Sequence, residues 1–72
     1  MDESIHHLAK PLNPLLKLAA LHGVIAAVKL HIKRGDEINA IDEKGRSPLL
    51  LAVTKGHIET AFIIHYQHFL SY

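Results

Sequence analysis

Histidine has the clearest chemical potential in this chain, because seven of its 72 residues are histidines. His65 and His68 stand three positions apart in a helical pattern, so both imidazoles lie on one face and offer two ligands for a zinc ion. No Asp or Glu stands near His65 to orient its ring, as the acceptor behind a metal-bound imidazole does. We therefore assign no metal ligands and no cofactor, and keep a histidine-rich metal-binding protein as the third functional interpretation.

The acidic residues concentrate in a polar segment that basic residues share. Its acids are Asp36, Glu37, Asp42 and Glu43, and its bases are Lys33, Arg34, Lys44 and Arg46. Interleaved opposite charges are typical of a solvated loop rather than of carboxylates arranged for acid–base catalysis. The chain has no cysteine, no glycine-rich phosphate loop and no nucleophile-elbow pattern. The sequence therefore predicts no catalytic residues and no enzyme.

Size and composition narrow the kinds of partner and the cellular location that this protein can have. The chain has a mass of 8.0 kDa, 49% hydrophobic residues and a net charge of +1, which fits one small folded domain. So small a charge selects neither nucleic acid nor a membrane surface as partner. The longest apolar runs, such as Leu49 to Val53, are far shorter than the ~20 residues of a membrane helix. Without cysteine there is no disulfide framework, and we expect a cytoplasmic location.

Proline and glycine mark the elements that position these residues. Asn13-Pro14 and Ser47-Pro48 each place a capping side chain before a proline at the first helical position. Gly23 and Gly56 then end these two helices. The spacing predicts a first helix of about two and a half turns in each half of the chain.

A second helical pattern follows each of these glycines. One covers Val24 to Arg34 and ends at Gly35, and the other starts at His57. No glycine or proline ends the latter, so we expect the last helix to be longer, extending to about Phe69. Residues 36–46 read as a turn-rich connector, and residues 1–12 as an N-terminal segment with a short capping helix.

The two halves match each other at a spacing of 33 residues. The matching pairs are Leu16/Leu49, Leu18/Leu51, Ala19/Ala52, Gly23/Gly56 and Ile25/Ile58. All five pairs occupy equivalent helical or capping positions. A period of about 33 built from helix, glycine, helix and connector is the spacing of ankyrin repeats.

Three stretches carry a resemblance to the ankyrin repeat family. Residues 35–40 resemble the end of one ankyrin repeat, with the sequence Gly35-Asp36-Glu37-Ile38-Asn39-Ala40. Residues 42–49 resemble the opening of the next repeat, with the sequence Asp42-Glu43-Lys44-Gly45-Arg46-Ser47-Pro48-Leu49. Residues 52–59 are similar to the family's passage from the first helix to the second, with the sequence Ala52-Val53-Thr54-Lys55-Gly56-His57-Ile58-Glu59. The resemblance covers residues 13–67 and implies an all-α, ankyrin-repeat solenoid fragment. It would contain two stacked helix-turn-helix pairs, at 13–41 and 42–72, joined by a hairpin-like connector.

The resemblance also sets expectations for single residues. Leu50 stands where the family has a histidine, and His68 stands where a glycine would close the second helix. His57 occupies the family's Gly-His position, while His31 and His65 fall where partial burial is usual. The expected shared core is Leu16, Leu18, Ala19, Val28, Ile32, Leu49, Leu51, Ala52, Ala61 and Ile64.

The function that the resemblance implies is non-catalytic protein–protein interaction, in the N-terminal ankyrin region of a larger protein. In such arrays the connectors and first helices line a concave binding face. The candidate partner contacts are Lys17, Leu21, Glu37, Ile41, Glu43, Lys44, Arg46 and Lys55.

The last helix is apolar on more than one face. Its candidate self-association residues are Phe62, Ile63, Tyr66, Phe69, Leu70 and Tyr72. Two repeats are fewer than an array normally needs, so an exposed apolar flank indicates a truncated array, a two-fold dimer, or coverage by the segment around Ile5 and Leu8. We expect a homodimer in isolation, and the alternative function is a dedicated homo-oligomerisation domain.

Overall fold

Four helices make up the regular structure of the residues that the computed structural model describes, which are 11–70, with side chains for 11–67. They are α1 (Pro14–His22), α2 (Ile25–Lys33), α3 (Pro48–Thr54) and α4 (Ile58–Leu70). The all-α prediction is confirmed for this range, in which an isolated bridge pairs Pro11 with Ile41. The helix predicted within residues 1–12 falls largely outside the described residues.

Side-chain caps begin α1 and α3. The Asn13 Oδ1 accepts a hydrogen bond from the Leu15 backbone N–H at 2.8 Å, and the Ser47 Oγ accepts one from the Leu50 N–H at 3.2 Å. Each cap precedes a proline at the start of its helix. The caps use backbone donors that have no partner inside the first turn, so local sequence fixes both starting points.

Glycine ends both first helices. Gly23 and Gly56 have φ angles of 66° and 79°, a left-handed conformation that residues with a Cβ rarely adopt. The next residue then bonds back into the helix: the Val24 N–H donates to Ala19 O at 2.9 Å, and the His57 N–H donates to Ala52 O at 2.9 Å. These reversals turn the chain into α2 and α4.

The last helix is the longer of the two second helices, as predicted. α2 has 9 residues and is followed by Gly35 at a φ of 87°, whereas α4 has 13 residues and no glycine after it. Among the described residues no helix has the length and hydrophobicity needed to cross a membrane.

The helices pack as two pairs placed side by side. Within the pairs α1 contacts α2 and α3 contacts α4; between the pairs α1 contacts α3 and α2 contacts α4. The shared core consists of Leu12, Leu16, Ala19, Ala20, Val28, Ile38, Ala40, Leu51, Ala52, Ala61 and Ile64, with Ile32 and Leu49 packed against it. Most of the predicted core is confirmed by this cluster.

The prediction that Leu18 is a core residue is wrong, because its side chain is 51% exposed. Leu18 lines a shallow surface cavity with Leu15 and Val24. Its counterpart 33 positions later, Leu51, is fully buried in helix α3, which contacts both α1 and α4. Periodicity identified an apolar face correctly, but no described element packs against that face in the first pair.

His57 links the two pairs at their turns. Its Nε2 lies 2.9 Å from the Leu21 carbonyl oxygen, and because a carbonyl only accepts, Nε2 donates the proton. The ring also lies against Gly23, where an added Cβ would stand 2.6 Å from Nδ1 and 2.7 Å from Cγ. A side chain at position 23 is therefore unfavourable for two reasons, the left-handed φ of Gly23 and the close contact with the His57 ring.

We expect Gly23→Ala to destabilise the fold more than Gly56→Ala in urea unfolding. Both substitutions force alanine into a left-handed conformation, which costs about 1 to 2 kcal/mol. At Gly56 no atom lies within 4 Å of the added Cβ, whereas at Gly23 the His57 ring must move. In the His57→Ala background the excess cost of Gly23→Ala should disappear; equal costs for the two glycines in the native background would contradict the contact.

Candidate functional site

A buried carboxylate organises the connector between α2 and α3. The side chain of Asp42 is 1% exposed and receives four donors. Its Oδ1 accepts from the backbone N–H groups of Lys44 at 3.0 Å and Arg46 at 2.7 Å. Its Oδ2 accepts from the Arg46 Nε at 2.9 Å and lies 3.2 Å from the Lys17 Nζ. The cluster thereby fastens the connector turn to helix α1.

The surroundings of Asp42 keep it ionised. Burial acts to raise the pKa of this carboxyl, but the hydrogen bonds from Arg46, Lys17 and Lys44 outweigh burial and hold the pKa well below its ordinary value. Both carboxylate oxygens are already occupied by donors from the connector and from α1. The geometry therefore gives Asp42 a structural role in holding the connector turn.

Two of the four connector acids contradict the prediction of a solvated loop. Asp42 is buried as described, and Asp36 lies partly buried with its Oδ2 2.6 Å from the Nδ1 of His31. Glu43 fits the prediction, since its side chain is 77% exposed. Its own backbone N–H and the charge of Lys17, 3.6 Å away, lower the pKa of Glu43.

The histidines divide by environment. His31 is 5% exposed and paired with Asp36, which agrees with its predicted burial. His65 is exposed, so its predicted partial burial is wrong. The side chain of His68 lies outside the described residues. Within the part of the chain that the structure describes, no three His, Cys, Asp or Glu side chains are grouped closely enough to hold a metal ion.

The structure brings together only some of the predicted partner contacts. Lys17, Ile41 and Glu43 line one cleft of about 400 Å³ beside the bridge at Pro11. Arg46 joins them through Asp42, a residue absent from the predicted set.

The other predicted contacts lie apart or serve the fold. Leu21 packs partly buried against the core, and its carbonyl accepts from His57. The Glu37 carboxylate accepts from the Asn39 N–H at 3.2 Å within its own turn. Lys44 is exposed in the connector, and Lys55 is exposed after α3.

Two aromatic side chains protrude from α4. Phe62 is 65% exposed and Tyr66 is 50% exposed; their rings stack with centroids 6.1 Å apart and planes 16° from parallel. With Ile63 they line one side of a groove of about 470 Å³, and Lys29 and Lys33 of α2 line the other. The groove matches part of the predicted self-association set, whereas the side chains of Phe69, Leu70 and Tyr72 lie outside the described residues.

The first helix pair has an exposed apolar flank, formed by Leu15, Leu18 and Val24, which are 63%, 51% and 47% exposed. These residues line a shallow cavity of about 380 Å³ together with Ala27. We refer to them as the α1 flank. The 33-residue repeat carries the sequence signal by which this surface could have been predicted. It places Leu15 and Leu18 at the positions equivalent to Pro48 and Leu51, which are buried.

No protein-family model matches the sequence, and a comparison with curated proteins finds no significant match.

We expect Asp42→Asn to lower stability at neutral pH more than Glu43→Gln, since the buried amide cannot balance the Lys17 and Arg46 charges. The pKa of Asp42 is lower in the folded chain than in the unfolded chain, so its contribution is complete above the unfolded value of about 3.9 and declines as pH falls. The gap in urea midpoint between the native chain and Asp42→Asn should therefore narrow from about pH 7 to about pH 2. A gap that stays constant over this range would contradict the assignment.

Proposed function

We propose that this protein is a non-catalytic protein–protein interaction module of the ankyrin-repeat type. The 33-residue spacing, the motifs in residues 35–59 and the packing of two helix pairs through a common core support this proposal. In a repeat solenoid each unit buries its apolar face only against a neighbour, so a unit without a neighbour leaves a surface that another protein or helix pair can cover.

The observation that carries the proposal is the contrast between equivalent surfaces of the two pairs. Pro48 and Leu51 of the second pair are fully buried, and their helix α3 contacts α1 of the first pair. Their counterparts, Leu15 and Leu18, present the same kind of side chain at 63% and 51% exposure. Complete burial of one leucine contributes about 1.5 to 3 kcal/mol, so covering two half-exposed leucines supplies roughly 2 kcal/mol toward binding.

The connector contributes orientation rather than chemistry. Its Asp42 is ion-paired with Arg46 and with Lys17 of helix α1. Ile41 is 50% exposed and Lys44 is exposed, so these side chains are accessible to a partner. Charges at the edge of an interface set its orientation and association rate more than its affinity.

Photocrosslinking tests the proposal directly. With a benzophenone amino acid at Leu18, we expect a discrete protein adduct in cells that produce the protein, because this side chain would lie in the interface. The control position is Arg34, whose side chain is 55% exposed at the far end of α2. A folded protein that gives no adduct at Leu18, or equal labelling at both positions, would refute the proposed function.

The exposed aromatic stack favours homo-oligomerisation through α4 as a second candidate function. Phe62 and Tyr66 present two large rings to solvent on one helix face. If this candidate is correct, the native chain sediments as a dimer and Phe62→Ser as a monomer, with helicity unchanged because Phe62 is exposed. Sedimentation of the native chain as a monomer at high concentration eliminates the candidate.

A further inference from the structure

Two rows of side chains run next to each other on adjacent helices. Lys29 and Lys33 stand four residues apart on α2, and Phe62 and Tyr66 stand four residues apart on α4. Each lysine is the 33-residue counterpart of one ring, so the cationic row and the aromatic row share one register. Between the rows lies the groove of about 470 Å³, lined also by Ile32 and Ile63.

The charge of this groove is uncompensated within the described residues. Among residues 11–67, the side chains of Lys29 and Lys33 make no hydrogen bond, ion pair or ring contact. By contrast Lys17, Arg34 and Arg46 each pair with a carboxylate. None of the described residues that line the groove is acidic. The two lysines are therefore available to a carboxylate supplied from outside the described part of the chain.

We propose that the groove between α2 and α4 binds an acidic amphipathic segment of a partner protein. Its apolar side chains occupy the groove against Phe62 and Tyr66, and its carboxylates pair with Lys29 and Lys33. A helix matches this arrangement, because residues four apart on a helix lie on one face at the spacing of both rows. The inference rests on the proposed function and names the chemistry of one partner.

A second copy of the chain fits the groove less well. In a two-fold dimer the same patch lies on both sides of the interface, so such a dimer would gather four lysines in one interface. None of the described lining residues is acidic and could balance them. Like charges brought together in this way oppose association, whereas an acidic partner removes the repulsion.

An anionic membrane also fits less well. The chain carries a net charge of only +1. Stable binding to anionic lipid takes a cluster of several basic residues, and this surface has two. A protein segment is therefore the occupant that the observations favour.

Fluorescence anisotropy with a designed probe tests the inference. The probe is a labelled helical peptide of about 14 residues, four turns, with glutamates on one side and leucines beside them. A matched peptide carries lysine in place of every glutamate. We expect the native chain to bind the glutamate peptide with a Kd below about 1 mM and to bind the lysine peptide at least about tenfold more weakly.

Charge reversal in the groove should exchange these preferences. We expect Lys29→Glu/Lys33→Glu to weaken binding of the glutamate peptide at least about tenfold and to strengthen binding of the lysine peptide. The Lys29→Arg/Lys33→Arg variant keeps both charges and should retain the native preference. Phe62→Ala removes one ring from an exposed position and should weaken binding of the glutamate peptide, with helicity unchanged.

Three outcomes of the binding experiments would overturn the inference: no binding of the glutamate peptide up to about 1 mM, equal binding by the charge-reversed variant, or binding to phosphatidylserine vesicles in preference to the peptide. Self-association that Lys29→Glu/Lys33→Glu alters would also overturn it, since a second copy would then be the occupant. Crosslinking at Leu18 is independent of the groove, so an adduct there with failure here leaves the proposed function standing.

Discussion

The seam between the two helix pairs is the constraint on which the rest of this structure depends. The helices α1 and α3 contact each other there, and both contribute fully buried residues, Leu16 and Ala20 from α1 and Leu51 and Ala52 from α3. A chain this small buries only ~60% of its unfolded surface, so neither pair has a sufficient core alone. The second helix pair is covered at this seam by the first pair. The equivalent apolar positions of the first pair are exposed, because no described helix pair packs against them.

The connector between α2 and α3 links the core at this seam to the surface of the protein. Ile38 and Ala40 anchor it in the core, and Asp42 holds its turn through donors from the connector itself and from α1. Breaking a buried ion pair by removing one partner is destabilising because the remaining charges lose their compensation. The Asp42 cluster thus gives the connector one conformation, and the exposed Ile41 beside it gains a fixed place on the surface.

Local signals predicted the helices, and they failed where a residue's environment comes from elsewhere in the chain. The caps at Asn13 and Ser47 and the glycines at 23 and 56 act within a few residues, so sequence was sufficient for them. The burial of Asp42 depends on Lys17, a residue of another helix, and no local pattern reports that contact. Leu18 is exposed for the converse reason, because periodicity finds an apolar face but not its partner.

Helix α2 contributes residues both to the cavity at the α1 flank and to the groove between α2 and α4. These two surfaces differ in how they can select a partner. Ala27 and His31 line the α1 flank, while Lys29 and Lys33 border the groove. The flank is apolar, so it selects by shape and area; the groove adds two unpaired charges, which reject a basic partner as well as attract an acidic one. Because Val28 in the core and the His31–Asp36 pair fix the orientation of α2, any displacement of this helix would change both surfaces together.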